Sequence, residues 1–222
     1  MMKPNRFVSV AVDGGAASGK SSTSRGVAAR CELMHVDTGS HYRAVCLACL
    51  DAGVPADAGD SLEAFLEQLE LSSSVEGNQA RIQINGQMPN EERLRSTEVN
   101  ANVSSYAAVP VVRNTVKAYQ RDQVALARER GFGGIIMEGR DIGTVILPDA
   151  DLKVFLEADA ATREIRRKEE GRDDPIAARD QQDQSRKTAP LQAAEDAIRI
   201  DNSLLSLEQV IDRVVDAVCG RA

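Results

Sequence analysis

The chain has 222 residues, with 34 Asp and Glu against 27 Lys and Arg, a formal charge of -7, 42% hydrophobic residues, four cysteines and two histidines. That size supports one substantial core with at most a small appended subdomain, and the acidic balance argues against an extended nucleic-acid-binding face while leaving room for a local basic pocket. No window approaches eighteen uninterrupted apolar residues, and Met1-Met2-Lys3-Pro4-Asn5-Arg6 enters a strand too soon for a secretory signal, so the expected setting is the cytoplasm, away from membranes.

The alternation Phe7-Val8-Ser9-Val10-Ala11-Val12 predicts a first strand running into Asp13-Gly14-Gly15. Gly14, four residues, then Gly19-Lys20-Ser21 is P-loop spacing, in which a turning backbone aims successive N–H groups at phosphates where a helix begins. Gly14, Gly15, Ala16, Ala17, Ser18, Gly19, Lys20, Ser21 and Ser22 are therefore the candidate triphosphate cradle. Lys20 would reach the β- and γ-phosphates, and the hydroxyl of Ser21, or of Ser22 beside it, would serve Mg²⁺. A ligand-free glycine turn is the plain alternative; the strand before the loop and the Lys-Ser after it weigh against that reading.

A helix is expected over residues 21–29, a short strand over 34–37 ending at Thr38-Gly39, and a second helix from about Tyr42 to Asp51. That helix contains Cys46-Leu47-Ala48-Cys49 in an apolar run with no second ligand pair at zinc spacing, so these cysteines read as buried small hydrophobes. With only His35 and His41, metal ligands and general bases are scarce, and both read as structural. The Gly/Pro/Asp-rich stretch 52–60, a short helix over 62–69, and Gln79–Ile84 followed by the hairpin signal Asn85-Gly86 look like an inserted subdomain. Helices resume near Thr97, and Pro110 stands in the first turn of a long helix that stops before Gly131. Residues 134–138 and 152–156 are short apolar strands, and strands alternating with helices in this way signal a parallel sheet covered on both faces. A charged helix at 160–170 leads into 172–188, which is nearly devoid of apolar residues and cannot be core. A last strand over 197–201 precedes an amphipathic helix opened by Ser206, with Ile211, Val214, Val215 and Val218 inward.

A triphosphate loop alone does not separate kinase, GTPase, ATPase and adenylyl transferase, so the acceptor is sought at the carboxyl ends of other strands. Three clusters stand out: Asp37-Thr38-Gly39-Ser40-His41-Tyr42-Arg43, Glu138-Gly139-Arg140-Asp141, and Arg179-Asp180 with Asp183 and Arg186. Each joins a guanidinium to a carboxylate or hydroxyl, the set that grips a phosphate while orienting acceptors for a sugar or base. A solvated charged face is the bland alternative, stronger for the polar stretch than for residues 138–141. The guanine reader Asn-Lys-x-Asp of a GTPase-type switch is absent, and Asp201-Asn202-Ser203 does not supply it.

Over nearly its whole length the chain resembles the bacterial cytidylate kinases of the nucleoside monophosphate kinase group. The resemblance rests on residues 13–22, on the three clusters, on Glu98-Val99 through Ser104, on Val109-Pro110-Val111-Val112-Arg113, on Gly139 through Val145 with Pro148-Asp149-Ala150, on Pro190-Leu191, and on residues 206–210. It implies an α/β P-loop three-layer fold with a central parallel sheet, in a single kinase domain over 1–222. The core would be about 1–58, 97–171 and 189–222, the monophosphate-binding insert about 59–96, and a short lid about 172–188. The implied activity, in pyrimidine nucleotide metabolism, is transfer of the γ-phosphoryl group of ATP to CMP or dCMP using Mg²⁺; apart from the resemblance, a monomer with no nucleic-acid partner is expected. By the same resemblance Ser104, Arg113 and Asp141 read cytosine, Thr38, Tyr42, Arg43, Arg140 and Arg186 grip the acceptor phosphate, and Asp183 with Arg179 touches the ribose. Lys20, Arg140, Arg179 and Arg186 are the implied catalytic set. The chain departs from the family pattern in Gly15 where proline is usual, Glu138 where Asp is usual, Thr38 where serine is usual, and a shortened lid. The rival readings are a P-loop kinase with a different acceptor and a nucleotide-binding switch without turnover.

Overall fold

The computed structural model describes residues 4–169, 180–181, 183–186 and 189–220. β1 (Val8–Gly14) leads through the glycine loop into α1 (Lys20–Cys31), and β2 (Leu33–Asp37) runs directly into α2 (Thr38–Asp51). Then come α3 (Asp60–Glu67), the hairpin β3 (Leu71–Glu76) and β4 (Gln79–Ile84), and the single turn α4 (Glu91–Leu94). α5 (Thr97–Ala108) and α6 (Pro110–Glu129) return the chain to β5 (Gly134–Gly139), which is followed by a π-helical turn (Ile142–Ile146) and β6 (Leu152–Glu157). α7 (Ala160–Glu169), β7 (Ile198–Asp201) and α8 (Leu207–Cys219) complete the described elements.

The described strands form one sheet in the order β3-β4-β2-β5-β1-β6-β7. All neighbours are parallel except the β3–β4 hairpin. β1 lies inside the sheet, between β5 and β6, because its residues are apolar on both faces, and period-2 alternation sends them into two separate cores. Val10 and Val12 pack with Val27 of α1 and Val214 of α8, whereas Ala11 packs with Met137 and, from α6, Ala127. A third cluster lies among α2, α3, α5 and α6, where Cys46 and Cys49 pack with Leu62, Tyr106 and Val116. Both cysteines are buried free thiols, and burial pushes their pKa values up to about 12 and about 11, as the apolar reading of that pair requires.

Two boundaries differ from expectation. α2 begins at Thr38 rather than near Tyr42, because the Asp37 carboxylate accepts from the N–H groups of Gly39 (2.9 Å) and Ser40 (3.3 Å) and so caps the helix directly off the strand. The Asn85-Gly86 signal does mark a two-residue turn, with Ile84 and Gln87 exchanging backbone bonds (2.9 and 3.0 Å), but the longer hairpin turns at Gly77-Asn78, since Leu71-Ser72-Ser73-Ser74-Val75-Glu76 is itself a strand paired from Leu71↔Ile84 to Glu76↔Gln79. That strand lacks apolar alternation. Its place is held instead by β4 and by the Ser73 hydroxyl, which is hydrogen-bonded with the Tyr119 hydroxyl (2.6 Å) and with Gln123 Oε1 (3.0 Å). Asn85 and Gly86, both at positive φ, close a tighter turn marked by a single Ile84–Gln87 bridge. β4 also pairs with β2 at His35↔Gln79 and Val36↔Ala80, so the segment read as an insert carries the main sheet outward. Among the described residues no helix is long and apolar enough to cross a membrane.

Candidate active site

At the carboxyl end of β1 the chain must turn within contact distance of β6. A Cβ on Gly14 would lie 2.3 Å from the Leu156 carbonyl oxygen, so only glycine fits there. Gly19 (φ 87°) and Ala17 (φ 55°) both take left-handed backbone, which bends residues 15–19 into the start of α1. Lys20 is buried and folds back over the loop, donating to the Gly15 carbonyl (2.6 Å) and the Ser18 hydroxyl (3.3 Å). Burial and, next, the nearby Arg140 charge lower its pKa to about 7. The loop is braced from the far side, where the Asn202 side-chain amide donates to the Ser18 carbonyl (2.8 Å) while Arg166 holds Asn202 (2.8 Å).

The next helical residue faces the acceptor side. Ser21 Oγ donates to Glu138 Oε2 (2.7 Å) at the end of β5, and Glu138 Oε1 lies 2.9 Å from His35 Nε2 of β2. Thr38 Oγ1 donates to the Glu138 carbonyl (2.6 Å). Ser22 is exposed, so Ser21 is the hydroxyl set beside a carboxylate, a pair of hard oxygen donors suited to Mg²⁺.

Beyond β5, Arg140 spans the site, donating from Nη1 to the Gly14 carbonyl (2.9 Å) and from Nε to Asp183 (2.8 Å). Arg186 pairs with the other oxygen of Asp183. Asp141 is buried and paired with Arg113, which comes from α6 and stacks 5.6 Å from the Tyr42 ring centroid. Burial raises the Asp141 pKa, opposed chiefly by Arg113. Arg43 donates to Asn100 (2.7 Å) and the Leu94 carbonyl (3.0 Å). The Tyr42 hydroxyl is buried with no hydrogen-bond partner among the described residues, and burial lifts its pKa to about 12.

One cavity collects these groups. Residues 16–22, Thr38, Tyr42, Arg43, Ser104, Arg140, Asp141, Asp183 and Arg186 line it, while Arg113 stands behind Asp141 and Gly14 and Gly15 form the loop's outer bend. Arg179 lies outside the described residues, as does most of the segment read as a lid. Arg25 and Arg95 also line the cavity, and the sequence does not point to them because a lone arginine on a helix or in a turn carries no local signal; Arg167, which with Arg163 and Arg166 reads from the sequence as a stand-in for contacts of a short lid, lines it too. Asp180, a member of the third cluster, has a role that its sequence position does not reveal: its carboxylate accepts from the Ala16 N–H (2.9 Å) within the glycine loop and pairs with Arg163. The loop thus already holds an anionic oxygen, the chemistry expected of a phosphate site.

A profile described as cytidylate kinase matches residues 10–219. The chain belongs to the cytidylate kinase family. A cytidylate kinase of Streptomyces griseus subsp. griseus is 40% identical over 96% of this chain and 94% of its own length. One from Geobacillus sp. is 40% identical over 96% and 97%, and one from Geobacter sulfurreducens 39% identical over 97% and 94%. A solved Thermus thermophilus structure superposes with a TM-score of 0.51 over 97% of this chain and 98% of its own at 14% identity, a likeness of fold alone. Cytidylate kinases are kinases, so family membership makes this chain an enzyme that uses a nucleoside triphosphate and a nucleotide acceptor.

Proposed function

We propose that the chain transfers the γ-phosphoryl group of ATP to CMP or dCMP, as a cytoplasmic monomer, with residues 59–96 as the acceptor-binding insert and 172–188 as the lid. The observation that carries this reading is the buried Arg113–Asp141 pair, whose Asp141 lines the same cavity as the glycine loop. A carboxylate there accepts from the exocyclic amine of cytosine; uracil offers a carbonyl instead and leaves it unpaired, at a cost of about 1–3 kcal/mol. Ser104 lines the same side of the cavity.

The loop amides and Lys20 would cradle the triphosphate, a reading supported by the carboxylate oxygen that the Ala16 N–H takes from Asp180. Ser21 and Glu138 would hold Mg²⁺ together with phosphate oxygens and water. When bound, ATP supplies the transferred group and Mg²⁺ draws charge from its phosphate oxygens. Lys20, once freed from the Gly15 carbonyl, neutralises charge between donor and acceptor, and an opposing phosphate favours its protonated form. Arg140 and Arg186, joined through Asp183, form a guanidinium wall on which the acceptor phosphate and the charge of transfer are stabilised; Thr38, Tyr42, Arg43 and Arg179 complete the acceptor grip and ribose contacts. No strong general base is needed, and His35 and His41 are both buried in structural contacts.

ADP release measured with CMP, dCMP, UMP and AMP as acceptors tests the reading. CMP or dCMP should turn over about tenfold or more faster than UMP at limiting acceptor. Equal rates across the panel would overturn the base assignment, and nucleotide binding without acceptor-dependent ADP would point to a switch.

A further inference from the structure

Asp141 occupies the N-cap position of the π-helical turn Ile142–Ile146 and yet makes no side-chain capping bond. An aspartate there ordinarily folds its own carboxylate back onto the open N–H groups of its turn. Here the Asp141 carboxylate points away and pairs with Arg113. The vacated amides do not go unsatisfied. Ile142 N–H donates to Asp13 Oδ1 (2.8 Å) and Gly143 N–H to Asp13 Oδ2 (2.7 Å), so a side chain 129 and 130 residues distant from them supplies the cap. The turn is closed on its other side by the Asp141 carbonyl, which accepts from Val145 (2.9 Å) and Ile146 (3.2 Å).

We propose that Asp13 is a positioning residue for base recognition: by capping the turn in place of Asp141, it keeps the Asp141 carboxylate turned toward the acceptor base. The proposal rests on Asp141 as the base reader. Asp13 belongs to the interior strand β1, between Gly139 of β5 and Phe155 of β6, and is 4% exposed. A carboxylate in that position is costly to bury, and burial raises its pKa to about 6. It does not line the cavity. Its two oxygens are spent on the two amides, so its hydrogen bonds act on the ligand through the geometry of residues 141–143, while its charge also bears on Lys20.

Asp13→Asn keeps size and one acceptor oxygen but sets an NH₂ against one amide, which gives Asp141 reason to swing back and cap its own turn. The experiment compares Asp13→Asn, Asp141→Asn and the double variant by the ratio of kcat/KM for CMP to that for UMP, together with the Kd for ATP. Asp13→Asn should lower the ratio about tenfold, mainly through KM for CMP, with the ATP Kd moving less than about twofold. The double variant should fall no further than Asp141→Asn alone, because both changes disable one reader. If Asp141→Asn lowers the ratio while Asp13→Asn leaves it intact, or weakens CMP and UMP equally, the positioning role is wrong. If Asp141→Asn itself leaves the ratio intact, the base-reading assignment fails instead. The wild-type chain supplies a check that needs no variant: the Ile142 and Gly143 amides should exchange hydrogen slowly without nucleotide, and exchange at the rate of open loop amides would overturn the cap.

Discussion

Lys20 is held near the edge of its charge: a pKa of about 7, set by burial and then by Arg140, leaves it able to gain or lose a proton around neutrality until phosphates arrive. Lys20→Ala should therefore lower transfer to every acceptor by roughly a hundred- to a thousandfold, the scale of losing one preorganised charge at the reacting centre. A loss confined to CMP in the ADP-release assay would remove Lys20 from the donor side. His41 makes a second residue-scale case. It packs edge-on to Tyr119 at 4.9 Å, its Nδ1 has no partner among the described residues, and burial lowers its pKa from 6.5 to about 4. Between those values the unfolded chain takes up a proton that the folded chain refuses, so stability is lost as pH falls from about 6.5 to about 4. Asp13 works in the opposite sense, since a pKa raised to about 6 makes the folded chain hold its proton longer, and its contribution is lost as pH rises through that value. Urea unfolding of wild type and His41→Leu should isolate the histidine: the difference should move in the variant's favour by on the order of 3 kcal/mol from pH 6.5 to pH 4. A constant difference would mean that His41 protonates freely.

At the scale of elements, the glycine loop takes a hydrogen-bond partner from within the chain. Asp180 takes the Ala16 N–H, and Gly15 makes room for it, because a Cβ at that position would stand 2.9 Å from the Asp180 carboxylate. A phosphate that uses the same donor displaces this contact, so Asp180→Ala should tighten ATP binding about three- to tenfold by isothermal titration, and an unchanged Kd would show that the carboxylate is no competitor. Local signals had placed many elements. Pro110 at the head of α6 and the Ser206–Gln209 capping box of α8 were legible because caps and helical periodicity act over a few residues. The serine-rich β3 was not, since only its pairing with β4 makes it a strand, and the π-helical turn was not, since its cap comes from Asp13 in β1.

Across the whole molecule an acidic chain gathers Lys20, Arg25, Arg43, Arg95, Arg140, Arg167 and Arg186 around one cavity. Two nucleotides engaging separate parts of that cavity should each stabilise the fold, by about 2.7 kcal/mol at a hundred times Kd, and add when both are present. Thermal unfolding with ADP, CMP and both checks this; a midpoint with both no higher than with one would mean that they compete for a single site. The glycine loop, the alternation of strands and helices and the order of the arginine clusters were decided by the sequence alone, because each depends on backbone turns and periodicities spanning a few neighbouring residues. Tertiary structure alone decided that Glu138 meets Ser21, that Arg113 backs Asp141 and that Asp13 caps the turn beyond it. Those contacts join residues 28 to 130 positions apart, and no local pattern encodes a partner that becomes a neighbour only when parallel strands stack side by side.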